Sequence, residues 1–319
     1  MLTLPDFKEK QILFIKGNNN LENTLKFSNE NLIFYKNGKK HSQLSCYKIL
    51  AIFLYGDFSV TTVLLRKFDE YGIAVFFLKN NLMSYCYFNL GLGSNYLLRI
   101  KQYKQENEIN IAKKIIRNKI YNSHLLLKKY NYCNNSYNLD DIFSKITKAE
   151  DLKTLLGIEG SFSRNYFLNL FCNKEVNLNW RGRQPRLKQN MENVLLDIGY
   201  TFLFNFIDSI LNLFGFDTYK GFCHQVFFKR KSLSCDIMEP FRCIIDETLY
   251  LMFKNKEVNS YDFDIKQKIY SLKYNCSKKY CQAFLQAILK NKIEIYKYIR
   301  NFYYYILNDK EDFNKFILK

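Results

Sequence analysis

The period of the hydrophobic pattern changes once along this chain, near residue 90, and that change constrains the fold more than any other feature. Before it, short β-rich runs such as Gln11-Ile-Leu-Phe-Ile15, Asn31-Leu-Ile-Phe-Tyr35 and Ile73-Ala-Val-Phe-Phe-Leu78 are separated by Asn/Gly turn signals at 17–20, Asn37-Gly38 and Asn80-Asn81. One helix-period segment interrupts them: 62–71 carries apolar residues at 63, 64, 65 and 68 and stops at Gly72. The Gly-containing run 89–95 reads as a linker. Beyond it, the segments 95–130, 139–171, 190–215, 232–254 and 277–307 all have long apolar patterns of helical period. The pattern predicts an α+β chain, with a small β-rich domain at 1–90 and a larger, all-helical domain at 91–319.

Composition narrows the class of partner. In 319 residues, 48 Lys+Arg against 30 Asp+Glu leave a formal charge of +18, a field that attracts phosphate. Nucleic acid is the expected partner, ahead of an anionic membrane surface. The 29 Phe and 25 Tyr exclude a disordered chain, and only 12 Gly and 3 Pro exclude a collagen-like one. Nine cysteines, none in CxxC spacing, support neither a disulfide framework nor a zinc ribbon and read as buried thiols. The most apolar stretch, 194–216, is broken by Asp197, Asn205, Asp208 and Asn212, which fits a core helix rather than a membrane span. With no secretory pattern at the start, a cytoplasmic protein without a membrane partner is expected.

The positive charge is clustered. Between Arg99 and Lys129 lie nine basic residues and two acids, including Lys113, Lys114 and Arg117. A second cluster, Trp180-Arg181-Gly-Arg183-Gln-Pro-Arg186-Leu-Lys188, occupies a Gly/Pro loop, and a third is Lys229-Arg230-Lys231. Singly, each reads as a solvated face. Together they predict a track for a nucleic-acid phosphate backbone, with no sign of base readout.

Only three histidines are available for chemistry. His41 sits in a polar turn and His124 in the basic helix, where structural roles are expected. His224 differs, because it closes a loop between two apolar helices and is followed by Asp236 and Glu239. Those acids are three apart at a helix start, with Ser232 or Ser234 as the cap, so they share one face. Two carboxylates and an imidazole suit Mg²⁺ or Mn²⁺ better than a zinc thiolate site, although acids also favour first turns for dipole reasons. Glu159 stands in an apolar stretch between two glycines. Buried there, its carboxylate needs a cation, a hydrogen-bond partner or a metal, and Arg164 is the nearest basic residue in sequence.

These segments resemble, in order, the motifs of the CRISPR-associated protein one family, the metal-dependent DNA integrase that inserts spacers into CRISPR arrays. The resemblance rests on Gly157-Ile-Glu159-Gly-x-x-x-Arg164-x-Tyr166-Phe167, Gly221-Phe-x-His224 and Ser232-Leu-x-x-Asp236-Ile-Met-Glu239-x-Phe241-Arg242. The core Ile52-Phe-Leu-Tyr-Gly56 to Phe77 and the loop Arg183-Gln-Pro185-Arg186 before Asn193 are also similar to that family. It implies an N-terminal β-sandwich-like dimerisation domain, a helical catalytic and DNA-binding domain, a homodimer, and a small ferredoxin-like second adaptation protein as partner. It further implies Glu159, His224 and Glu239 as ligands of Mg²⁺ or Mn²⁺ with Asp236 as a further catalytic acid. The resemblance implies double-stranded DNA as the nucleic acid, with contacts from Arg164, Tyr166 and Arg242 beside those of the basic clusters.

The implied reaction joins prespacer 3′-hydroxyl ends to the repeat, besides endonuclease cleavage. One departure stands out. Pro240 follows Glu239, where proline disfavours a helical preceding residue and so threatens that acid's position. Two alternatives follow: a catalytically weak DNA-binding scaffold, or a general metal-dependent nuclease acting on branched DNA.

Overall fold

A computed structural model of the chain describes residues 3–17, 23–79, 84–88, 95–132, 138–176, 178, 180–185, 187–225, 227–308 and 313–319. Asn80-Asn81, most of the linker 89–95 and Arg186 lie outside the described residues. The chain divides into two compact units: Met1–Ile100 with Asp208–Phe216, and Lys101–Ile207 with Asp217–Lys319.

The first unit opens with a short helix, α1 (Leu4–Glu9), followed by β1 (Gln11–Lys16), β2 (Asn23–Ser28), β3 (Asn31–Lys36), β4 (Lys39–Ser45) and β5 (Ile49–Tyr55). Then come α2 (Thr62–Glu70), β6 (Ala74–Leu78) and β7 (Ser84–Phe88). Strands β2, β3 and β4 form an antiparallel sheet, and the other sheet has the order β1-β5-β6-β7. Strand β5 pairs in parallel with both β1 and β6, and α2 makes the crossover that a parallel pair requires. Six successive residues of β5 are buried because both of its faces are covered, hence the unbroken apolar run Ile-Leu-Ala-Ile-Phe-Leu. Ile52 and Leu54 join the core shared with Leu25, Leu32, Phe34 and Phe68, while Ala51 and Phe53 pack with Phe76 and Leu213. Thr61 caps α2 by accepting from the Leu64 N–H at 3.2 Å.

The second unit is helical, as the periodicity predicts, with α3 (Tyr96–Tyr103) just before it and ending inside it. Its elements are α4 (Glu108–Lys129), α5 (Leu139–Lys148), α6 (Leu152–Phe171), α7 (Met191–Phe214), α8 (Ser232–Met238) and α9 (Arg242–Lys254). A hairpin, β8 (Phe263–Lys266) and β9 (Ile269–Leu272), interrupts what the sequence pattern treats as wholly helical, before α10 (Ser277–Lys290) and α11 (Lys292–Asn308). Several long segments also break: 95–130 becomes α3 and α4, and 139–171 becomes α5 and α6, the latter capped by Asp151, whose carboxylate accepts from Thr154 N–H at 2.7 Å.

α7 is long and apolar enough to cross a membrane, yet 78% of its apolar window is buried inside the protein. Its last turns, from Asp208, belong to the first unit. The eight described cysteines are all free thiols.

Candidate active site

The second unit gathers its chemistry around α4. The inward face of that helix carries Ala112, Ile115, Ile116, Ile120 and Leu126, all buried. Lys119 falls seven residues after Ala112 and four after Ile115, so helical period carries it inward with them. Glu159 of α6 meets it: Lys119 Nζ lies 2.5 Å from Glu159 Oε1 and 2.6 Å from Glu239 Oε2. Ser163, one turn on, donates to Glu159 Oε1 at 2.6 Å. Arg242 Nη2 pairs with the other oxygen of Glu239 at 2.9 Å.

Two carboxylates thus converge on one ammonium. For Lys119, burial favours the neutral amine, but Glu239 and then Glu159 outweigh it, so the proton is held more tightly than in a free lysine. For Glu239, burial works against ionisation, yet Arg242 and Lys119 prevail and hold its pKa down at about 2.

Asp236 and Glu239 stand at the end of α8, not at a helix start as expected, and they do not share partners. Asp236, fully buried, turns to the loop that carries His224. Its Oδ2 accepts from the N–H groups of Phe222 at 2.5 Å and Cys223 at 2.9 Å, and its Oδ1 from His224 N–H at 3.0 Å. The same Oδ1 lies 2.6 Å from His224 Nδ1, which fixes the ring through that nitrogen and leaves Nε2 as the ligand-capable edge. Gly221 makes this cradle possible, since a Cβ there would stand 2.7 Å from Asp236 Oδ2 and 2.8 Å from Ser232. The expected cap is absent: Lys231 is the N-cap residue, and Ser232 Oγ donates to the Gln225 carbonyl at 3.1 Å.

Pro240 does not displace Glu239 as expected. Glu239 keeps a helical backbone (φ −53°, ψ −47°), and the missing donor is absorbed by a 3₁₀ turn over Glu239–Phe241 before α9 begins.

Glu159, Arg164, Arg181, Arg183, Tyr200, Arg242 and Asp246 share with Lys119 the walls of a pocket of about 610 Å³. Asp246, which the motifs do not single out, is the buried acid of this wall. Tyr166 donates to it at 2.8 Å and Tyr200 from the other side. Burial pushes its pKa up to about 6, countered only in part by those hydroxyls, Arg242 and Lys119.

Several residues expected to contact DNA are committed elsewhere. Tyr166 is 2% exposed and bound to Asp246, so it offers no face for stacking. Arg183 is spoken for by Asn193 at 2.7 Å and Asp197 at 2.5 Å, bracing the loop against α7. On α4, Lys113 donates to the Thr147 carbonyl, Lys114 lies over Tyr305, and Arg117 stacks on Phe143. Each of the three is partly buried and has an intramolecular partner, so α4 packs into the core while these side chains stay partly open to solvent. Arg164, Arg181, Lys229 and Arg230 are exposed, and Arg242 is partly so.

Among the described residues, no three of His, Cys, Asp and Glu are grouped closely enough to hold a metal ion. The donor set nonetheless fits a hard divalent cation. Buried Glu239 Oε2 and Glu159 Oε1 meet at one ammonium, and His224, whose ring Asp236 orients, is near enough to favour the ionised form of Glu239. Lys119 holds the position between the glutamates.

A strand-rich unit, a helical unit, and a pocket that holds Glu159 and Asp246 among arginines describe a site suited to phosphate chemistry. The family model for CRISPR associated protein Cas1 matches residues 19–286, and the chain belongs to that family. The CRISPR-associated endonuclease Cas1 1 of Thermodesulfovibrio yellowstonii is 29% identical over 252 residues, 75% of this chain and 79% of the relative. Among solved structures, a casposase bound to integration product superposes with a TM-score of 0.78 at 21% identity, covering 95% of this chain and 92% of its own. A chain of a partial Cas6-RT-Cas1–Cas2 complex gives 0.70 at 23% identity, covering 97% and 99%. At these identities the likeness is one of fold.

Proposed function

We propose that this protein is the integrase of CRISPR adaptation, a divalent-metal-dependent enzyme that cuts and joins DNA in the cytoplasm. The observation that carries the reading is the convergence of Glu159 and Glu239 on a single cation at the wall of an arginine-lined pocket, in a chain of this family. Glu159, His224 and Glu239 hold Mg²⁺ or Mn²⁺, and Asp236 fixes the His224 ring. When bound, the ion supplies charge neutralisation at the scissile phosphate and at the leaving oxygen.

The chain's own groups do the positioning. Arg164, Arg181 and Arg242 face the phosphates, and Lys229 and Arg230 extend the basic surface beyond His224. The prespacer 3′-hydroxyl oxygen forms the new bond to phosphorus as the repeat's own P–O3′ bond breaks. No covalent enzyme intermediate is needed, and holding the two strands in line supplies much of the rate. The protein acts as a homodimer through its β-rich unit and with the small ferredoxin-like adaptation protein; a Cas1–Cas2 assembly among the fold relatives supports that partnership.

The test is a joining assay with a 3′-hydroxyl duplex and a supercoiled repeat-bearing plasmid in Mn²⁺, with and without the second adaptation protein. Joined products that vanish in Glu159→Ala and His224→Ala are expected. Cleavage without joining assigns the chain to general nucleases, and salt-sensitive binding with neither product reduces it to a scaffold.

A further inference from the structure

We infer that Lys119 is the resident counter-ion of the metal-free carboxylate pair, and that a divalent cation binds only when this ammonium leaves it. The inference rests on the metal-site reading above and assigns a role to Lys119, to which that reading gives none in the reaction.

Three observations carry it. Lys119 touches both glutamates at hydrogen-bonding range, so the space a cation shared by them requires is filled by its Nζ. Its side chain is only 15% exposed, and those of Glu159 and Glu239 are 16% and 5%, so solvent screens little of the interaction. The charge of the pair is also already matched by Lys119 and Arg242, so a divalent ion placed beside them with Lys119 unmoved would meet like charge in a desolvated site. Lys119 also lines the pocket, which gives a released ammonium an open volume to enter. In the metal-free protein the lysine thus neutralises Glu159 and shares Glu239 with Arg242, at the expense of apparent metal affinity.

Mn²⁺ titration of the full chain, followed by electron paramagnetic resonance, tests this in wild type, Lys119→Met and Lys119→Gln. Removing the competitor is expected to tighten Mn²⁺ binding by about tenfold or more in Lys119→Met, because the binding-competent fraction rises. Lys119→Gln should shift the same way by less. The melting temperature of metal-free Lys119→Met should fall and recover on adding Mn²⁺.

In wild type, Lys119 should resist acetic anhydride without metal and become reactive at saturating Mg²⁺, read by peptide mass spectrometry. That measurement stands even if the variants fail to fold. Equal or weaker Mn²⁺ binding in folded variants, or a Lys119 reactivity indifferent to Mg²⁺, overturns the inference. The metal reading fails separately: it falls if Glu159→Gln and Glu239→Gln bind Mn²⁺ as wild type does.

Discussion

His224 Nδ1 and Asp236 Oδ1 lie 2.6 Å apart, and the same carboxylate gathers the backbone N–H groups of residues 222, 223 and 224. One buried acid therefore sets both the ring and the loop that presents it. Asp236→Asn replaces one acceptor oxygen with a donor that faces N–H groups. Joining activity and Mn²⁺ affinity should each fall about 10- to 100-fold, as for other groups that orient a metal-binding histidine. Activity within twofold of wild type would show that the ring needs no such partner.

The cradle depends on Gly221. An added methyl would press on Asp236 Oδ2 and on Ser232 at once, and neither is the free end of a flexible chain. Gly221→Ala should cost about 1–3 kcal/mol of stability, measured by urea unfolding, and lower joining with it. A neutral effect would mean that the loop relaxes without cost.

Asp246 gives the stability a pH signature. Its pKa rises from 3.8 to about 6 on folding, so between those values the folded chain keeps a proton that the unfolded chain has lost. Stability from this group therefore falls as pH rises through that window, by about 3 kcal/mol. Glu239, lowered from 4.5 to about 2, acts oppositely and below it: its contribution is present above 4.5 and is lost as pH falls toward 2. The stability of Asp246→Asn relative to wild type should accordingly improve between pH 4 and pH 7. A difference independent of pH would contradict the buried-carboxylate account.

Exposed and committed arginines should separate in DNA binding. Arg181→Glu, at an exposed position, is expected to weaken binding and to lower the salt slope by about 1. Arg183→Ala should act on stability instead, because it removes the hydrogen bond to Asn193 and the ion pair to Asp197. Equal effects of the two on affinity and melting temperature would refute that division.

Sequence patterning exposed the strand-rich start, the mostly helical remainder and the acid–histidine motifs because all depend on local spacing. The switch from strand-like runs to helical period is visible residue by residue, and so is the three-residue spacing of Asp236 and Glu239, although the two acids take different partners. The partners were harder to read, since they depend on which face each helix buries. Lys119 counts toward a basic run in a linear reading, although its seven-residue distance from buried Ala112 and from Leu126 marks the inward face of α4. Tyr166 reads as a DNA contact until its hydroxyl meets Asp246, 80 residues away in the chain. Pro240 reads as a helix breaker, yet a 3₁₀ turn accepts it without moving Glu239 from helical geometry. The β8–β9 hairpin, only four residues per strand, is too short for its alternation to stand out.

The most direct test is a crystal of the full chain soaked in Mn²⁺ and measured at the manganese anomalous edge. The account predicts one strong peak bounded by Glu159, Glu239 and the Nε2 edge of His224, at ligand distances of about 2.1–2.3 Å, with Lys119 withdrawn from the glutamates. A saturating soak that leaves Lys119 bridging Glu159 and Glu239, with no peak at these three residues, would contradict it.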